Sequence, residues 1–237
     1  MKKLLFVILS LTILASCENK PETNLQITGN VKGLQKGTLY LRKLGDSTYV
    51  TIDSIKIDGK SDFEGNINLK SPEMLYLFLD RGETNSGDNN LMFFAEPGKI
   101  NIATELDYFY SKAVITGSKN NELYENYKKI SSKYNEQQLE LTVAKIKALK
   151  NKQTNLIASI QEKSNAIMKR KYLYAINFAV TNKDYEVAPY IALSEINDAT
   201  VKYLDTIQKS MTPKIAKSLY GKKLNTLIQE RKKLEKK

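Results

Sequence analysis

Apolar and polar residues alternate along the first half of the chain, with the two-residue period of half-buried β-strands. The segments 25–31, 37–44 and 49–57 have this pattern in part or whole, and 62–69 places Phe63, Gly65, Ile67 and Leu69 on one face. Segment 74–80 is apolar enough for a central strand, Pro97-Gly98 divides 91–103 into two strands, and 113–117 could close the sheet. Asp58-Gly59 lies between two of these segments and is a strong hairpin signal, so we predict that 49–57 pairs with 62–69. Short strands with frequent turns favour an antiparallel β-sandwich or open barrel.

The second half has a helical pattern. Leu123, Tyr127, Ile130 and Tyr134 follow each other at intervals of four, three and four residues, which places them on one face of a helix. Thr212-Pro213 is typical of a helix start, with an N-cap followed by proline at the first helical position.

Glycine and proline mark the boundary between the two patterns. Ten of the eleven glycines lie at or before Gly117, the other is Gly221, and residues 118–188 contain neither glycine nor proline. Because these residues punctuate turns and break helices, we predict an α+β chain. Its β-sandwich or open barrel covers residues 25–118, and its α-helical domain covers residues 119–237.

The N terminus has the pattern of a secretory signal. Lys2 and Lys3 precede an uncharged apolar run over residues 4–14. This run is shorter than the roughly 20 residues that a membrane-spanning helix needs. We therefore predict a signal peptide over residues 1–16.

The only cysteine of the chain follows directly. Leu14-Ala15-Ser16-Cys17 resembles the bacterial lipobox, and the resemblance implies cleavage after Ser16 and lipid attachment to Cys17. Residues 17–24 then form the lipidated cysteine and a polar tether. Two or three acyl chains hold a protein at a membrane far more firmly than one does. We predict a lipid-anchored protein of the cell envelope, at the outer membrane of a Gram-negative bacterium, on either face.

Positive charge is concentrated in the second half. The chain has a net charge of +11, with ten basic and twelve acidic residues over 25–118 against twenty-four and twelve over 119–237. Such a field can steer an acidic partner, so we predict an envelope protein partner, bound by Lys222, Lys223, Arg231 and Lys232. The alternatives are a solvated helical face and attraction to an anionic membrane surface. We expect no nucleic-acid partner, because the anchor places the chain outside the cytoplasm.

The residues available for chemistry are few. The chain has no histidine, which excludes Ser–His–Asp triads and histidine-based zinc sites, and we expect neither a cofactor nor a metal. Asp53, Asp58, Asp62 and Glu64 lie around the Asp-Gly turn. Paired acids can hydrolyse glycosides, so a carboxylate-based hydrolase or glycan-processing enzyme is the alternative function. Acids at alternating strand positions are more often solvated.

Two further interpretations concern the helical half. The chain has fourteen tyrosines and no tryptophan, and many of the tyrosines follow residue 118. They favour packing between helices, with an aromatic-lined groove as the alternative. The long helical stretch over residues 119–182 could alternatively act as a structural spacer.

A set of turn and core motifs resembles a known family. The motifs are Asp53-Ser54, Gly59-Lys60, Phe63-Glu64-Gly65, "FAEPGKINI" (94–102) and "ITGS" (115–118). They resemble the N-terminal domain of unknown function on lipid-anchored thiol–disulfide interchange proteins of the TlpA/ResA type. "VAPYIALSEI" (187–196) and "SLYGKKLNTLI" (218–228) are similar to the segment that precedes the thioredoxin domain in those proteins.

The resemblance does not extend to redox chemistry. Thiol–disulfide exchange requires a thiolate, and the sequence holds no Cys-x-x-Cys. We therefore expect this chain to lack the thioredoxin domain and to act without catalysis. It would bind or scaffold something, as an accessory to a separate thioredoxin-like partner.

Overall fold

The computed structural model describes residues 23–82 and 87–235. Eight strands come first in these ranges and six helices follow, so the predicted α+β class is confirmed. The strands are β1 (Leu25–Lys32), β2 (Lys36–Leu44), β3 (Tyr49–Asp58), β4 (Asp62–Ile67), β5 (Glu73–Asp80), β6 (Asn90–Ala95), β7 (Gly98–Glu105) and β8 (Val114–Thr116). The helices are α1 (Lys119–Lys150), α2 (Thr154–Thr181), α3 (Val187–Glu195), α4 (Val201–Ser210), α5 (Pro213–Ala216) and α6 (Leu219–Leu234).

The strands form two four-stranded sheets that face each other. The first has the order β4-β1-β7-β8 and the second β3-β2-β5-β6, so the sandwich is open rather than a closed barrel. Neighbouring strands are antiparallel except for β1 and β7, which are parallel. Leu25, Ile27, Leu39, Leu75 and Phe93 are among the buried side chains of the core between the sheets.

The Asp58-Gly59 turn does not join a hairpin. β3 pairs with β2, and β4 pairs with β1 in the other sheet, so the predicted pairing of 49–57 with 62–69 is wrong. The N–H of Gly59 donates to the carbonyl of Gln35, and the carbonyl of Ser61 accepts from the N–H of Val31. These bonds hold the turn between the sheets. Because the chain passes from one sheet to the other at this turn, the side chain of Phe63 enters the core beside β1.

The part of the second sheet formed by β5 and β6 is covered on both faces, which explains why the central residues of these strands are apolar. Leu75, Leu77 and Phe93 point into the sandwich. Met74 and Phe94, on the opposite face, belong to the core of the helical part. The molecule therefore has three layers, two sheets and a layer of helices, as expected for elements with two apolar faces.

Serine side chains cap the start of two helices, α1 and α6. Ser118 caps α1 by accepting a hydrogen bond from the N–H of Asn121, at 3.0 Å. Pro213 occupies the first turn of α5 as predicted, but this helix ends at Ala216 because Ser218 caps a new helix, α6. Among residues 23–82 and 87–235, no helix combines the length and the apolar character that crossing a membrane requires.

Candidate functional site

A groove lies where the sandwich meets the last two helices. One wall is the connection between β4 and β5, and the other is formed by α5 and α6. Its volume is about 710 Å³, within the range of small-molecule and peptide sites. We call it the lysine groove, and it is lined by Lys70, Ser71, Pro72, Glu186, Lys214, Lys217, Ser218, Leu219, Lys222, Lys223, Thr226, Leu227 and Glu230.

Five of the lining residues are lysines, against two glutamates. Lys70, Lys214, Lys217, Lys222 and Lys223 are all exposed. Within the described part of the chain, none of them forms an ion pair. Five ammonium groups around one concave surface therefore give it a positive potential, and the N-terminal end of α6 adds to this potential.

The two walls are fixed to each other by hydrogen bonds. The backbone N–H of Leu219 donates to the hydroxyl of Ser71 at 3.3 Å, and the N–H of Met74 donates to the hydroxyl of Tyr220 at 2.9 Å. Ser218 caps α6 by accepting from the N–H of Gly221. The hydroxyls of Ser71 and Ser218 therefore help to hold the β4–β5 connection and the start of α6 in place.

Gly221 permits the close approach of α5 and α6. A Cβ at this position would lie 2.0 Å from the carbonyl oxygen of Ile215, where no side chain fits. This contact explains the single glycine of the helical half, which stands next to Lys222 and Lys223 at the groove.

A buried polar network supports the groove from behind. Glu186 lines the groove although it is only 4% exposed. Its carboxylate accepts a hydrogen bond from the amide of Asn120 at 3.3 Å, and that amide also donates to Glu96. The Asn120 carbonyl oxygen accepts from the N–H of Val187 at 2.9 Å. Asn120 therefore links the sandwich, the first helix and the third helix at one point.

The structure separates the four predicted partner-binding residues into two pairs. Lys222 and Lys223 line the lysine groove. Arg231 faces the other side of α6, where its guanidinium donates to the carbonyls of Asn197 and Ala199 at 2.8 and 2.6 Å. Lys232 pairs with Asp205 at 2.8 Å. Arg231 and Lys232 therefore hold α6 to the rest of the helical part, whereas Lys222 and Lys223 are exposed at the groove.

Three of the four carboxylates near the Asp58-Gly59 turn have ordinary structural partners. Asp62 accepts from the amide of Asn30 at 2.8 Å. Hydrogen bonds from Asn66 and Gln26 lower the pKa of Glu64, whereas a glycosidase acid needs a raised pKa. Asp53 accepts from the N–H of Ser54, next to it in sequence. Over the residues that the structure describes, no group of three acidic or thiol side chains could hold a metal ion.

The tyrosines of the helical half pack mainly against the sandwich and one another. Tyr190 contacts Phe94, Tyr124 and Tyr220 with ring centroids 5.0 to 5.8 Å apart. Burial raises the pKa of Tyr190 to about 12, so its hydroxyl stays protonated at neutral pH. These rings fill the space between the second sheet and the helices, as packing predicts.

Sequence reasoning missed Lys70, Lys214 and Lys217. Lys214 and Lys217 follow Pro213 in a short helix whose position relative to α6 cannot be deduced from spacing. Lys70 lies almost 150 residues before them and reaches the same groove only through tertiary structure. Cys17, the predicted lipidation site, lies outside the described residues, as does the predicted signal peptide.

Comparison with known families gives one result. Residues 25–124 match the family model of DUF4369, a domain of unknown function. The match covers the whole sandwich and the first turns of α1, including Asn120 and Asn121. The prediction of a domain of unknown function in this region is therefore confirmed. No curated protein matches the chain.

Proposed function

We propose that this protein is a lipid-anchored, non-catalytic lipoprotein of the bacterial cell envelope that binds an acidic partner protein in the lysine groove. The observation that carries the proposal is that five exposed lysines, none of which forms an ion pair with another described residue, surround one groove of about 710 Å³. Leu219, Leu227 and Pro72 add apolar surface to the same groove. This combination suits an acidic segment that also carries apolar side chains.

The membrane anchor and the partner class rest on resemblance. The lipobox at Leu14-Ala15-Ser16-Cys17 supports lipidation, and the TlpA/ResA-like motifs support a thioredoxin-like partner. Such a partner would supply the thiol chemistry for which this sequence has no Cys-x-x-Cys. The predicted hydrolase is the less favoured alternative, because the pKa of Glu64 is shifted away from that of a general acid.

Cross-linking in intact envelopes tests the groove. A photo-reactive residue replacing Thr226, which lines the lysine groove, should capture one recurrent protein, to be identified by mass spectrometry. Binding of that purified protein should weaken by about ten-fold or more in Lys222→Glu/Lys223→Glu, and it should weaken as salt rises. The matched control is Lys163→Glu/Lys202→Glu, which makes the same charge change at exposed positions outside the groove. Equal loss in both variants would show that net charge, not the groove, binds the partner.

The anchor is tested separately. Metabolic labelling with a fatty acid should mark the wild-type protein and leave Cys17→Ser unlabelled. Equal labelling of the two proteins would contradict lipidation at this residue without affecting the proposal for the groove.

A further inference from the structure

The first two helices form an antiparallel hairpin with a regular seam. Residues of α1 that face α2 recur at intervals of three and four, as in a coiled coil. Two polar contacts fix the register. The amide of Gln138 donates to the carbonyl of Ser164 at 2.7 Å, and Lys145 donates to the amide oxygen of Gln161 at 2.7 Å.

Most of this hairpin projects from the rest of the molecule. Beyond Ser131, the next fully buried residue of α1 is Ala148, near the tip, where Ile160 is its buried counterpart on α2. The stretch between is therefore only two helices thick. On such a hairpin, one face of each helix meets the other helix and the remaining faces are normally polar.

The outer face of α1 departs from that expectation. Leu139, Val143 and Ile146 are 65%, 44% and 50% exposed and are spaced by four and three residues. At 100° per residue they lie on one stripe, well away from the seam with α2. Within the described ranges the stripe has no covering element, although it has the spacing of a helix–helix contact.

Charges beside the stripe change sign along the helix. Glu136 and Glu140 precede its centre, and Lys147 and Lys150 follow it. All four are exposed, and within the described residues none forms an ion pair. If α1 of a second copy packed parallel to this stripe, acidic residues would face acidic residues and basic residues would face basic residues. A copy in the opposite direction would place acids against bases.

We propose that this stripe is a homodimer contact, in which α1 of a second copy packs antiparallel with Val143 at the two-fold axis. Leu139 then contacts Ile146 of the partner subunit, and Glu140 faces Lys147 of the partner subunit. Glu136 faces Lys150 of the partner subunit in the same way. The contact is isologous, as two-fold symmetry requires.

The arrangement is sterically possible. The overlap from residue 136 to residue 150 is about 21 Å long at 1.5 Å per residue. In this arrangement the tip of each hairpin lies beside the projecting part of the other hairpin. The overlap stops short of the buried part of α1, which ends at Ser131. The two sandwiches lie at opposite ends. This contact lies on α1 and does not involve the lysine groove, so it goes beyond the proposed function.

Single cysteines test the geometry in the purified full chain carrying Cys17→Ser. Val143→Cys should form a disulfide-linked dimer on mild oxidation. Leu139→Cys alone should form no disulfide-linked dimer, because the two copies of this residue would lie about 12 Å apart along the helix axis, too far for a disulfide. A mixture of Leu139→Cys and Ile146→Cys chains should cross-link. Lys169→Cys, exposed on α2, is the control for random collision.

Charge reversal provides the independent measurement. By sedimentation velocity, Glu140→Lys should raise the dimer dissociation constant by about ten-fold, and Glu140→Lys/Lys147→Glu should restore it. Glu162→Lys, exposed on α2, should leave it unchanged. Circular dichroism at 222 nm checks that each variant remains helical. Cross-linking of Leu139→Cys with itself, or a monomer at every concentration tested, would overturn the proposal.

Discussion

The hydroxyl of Tyr220 accepts a hydrogen bond from the backbone N–H of Met74, at 2.9 Å, although 146 positions separate the two residues. Tyr220 lies in the first turn of α6 and Met74 near the start of β5. Burial raises the pKa of Tyr220, so the hydroxyl keeps its proton at physiological pH. This bond ties the last helix of the chain to the central sheet and holds one wall of the lysine groove in place.

Tyr220→Phe should lower the free energy of unfolding by about 1–3 kcal/mol, because the buried N–H of Met74 loses its partner. The ring contacts with Phe94 and Tyr190 would remain. Urea unfolding measures the change. Tyr203→Phe is the control, because that side chain is 42% exposed, and an equal loss there would contradict the role of the bond.

Asn120→Ala should lower the free energy of unfolding by more than Tyr220→Phe does, by about 2 kcal/mol or more. The side chain is 2% exposed, and its removal leaves the N–H of Val187 and the carboxylate of Glu186 without this partner. Thermal unfolding measures the loss. Asn135→Ala, at an exposed position of the same helix, should change stability by less than about 0.5 kcal/mol. Similar small effects in both variants would show that the network contributes little.

Glu73→Gln should stabilise the protein at pH 7. Burial raises the pKa of Glu73, and the charges of Lys43 and Lys223 oppose that rise only in part. Because the folded-state pKa lies above the unfolded value of 4.5, stability falls as pH rises between the two values. We expect a gain at pH 7 that shrinks as pH falls through the folded-state pKa of Glu73 towards 4.5.

Urea unfolding at several pH values measures this difference. Glu105→Gln is the matched control, because a hydrogen bond from Lys112 lowers the pKa of Glu105 and the neutral residue should bring no gain. A gain for Glu73→Gln that is independent of pH would contradict the ionisation argument.

At concentrations where the protein is a monomer, backbone amides over residues 139–167 should exchange hydrogen at least about ten-fold faster than those over 175–180. The outer part of the hairpin buries few side chains, so it can open without unfolding the rest. Hydrogen exchange followed by mass spectrometry measures this. Gln138→Ala removes both the bond to the Ser164 carbonyl and the bond from the Ser164 hydroxyl, so it should speed exchange in the hairpin alone. Uniform protection along α1 and α2 would contradict local opening.

The local pattern of the sequence was sufficient for the strands and for the helical character of the residues that follow them. The alternation over 25–31 predicts β1, and the stretch without glycine or proline after residue 117 predicts helix, but not the turn at 151–153 that divides it into α1 and α2. The change from strands to helices is also predicted correctly. These features depend on neighbouring residues, because side-chain period and turn chemistry act over only a few positions.

Tertiary structure alone decided which elements meet. The turn at Asp58-Gly59 has the chemistry of a hairpin, yet β4 joins the other sheet because its apolar face is buried beside β1. The lysine groove likewise combines Lys70 with Lys222, and packing turns Arg231 away from it to bond the carbonyls of Asn197 and Ala199. Sequence spacing specifies which face of a helix a residue occupies. What that face contacts is set by the burial of apolar surface from distant segments, which no local pattern encodes.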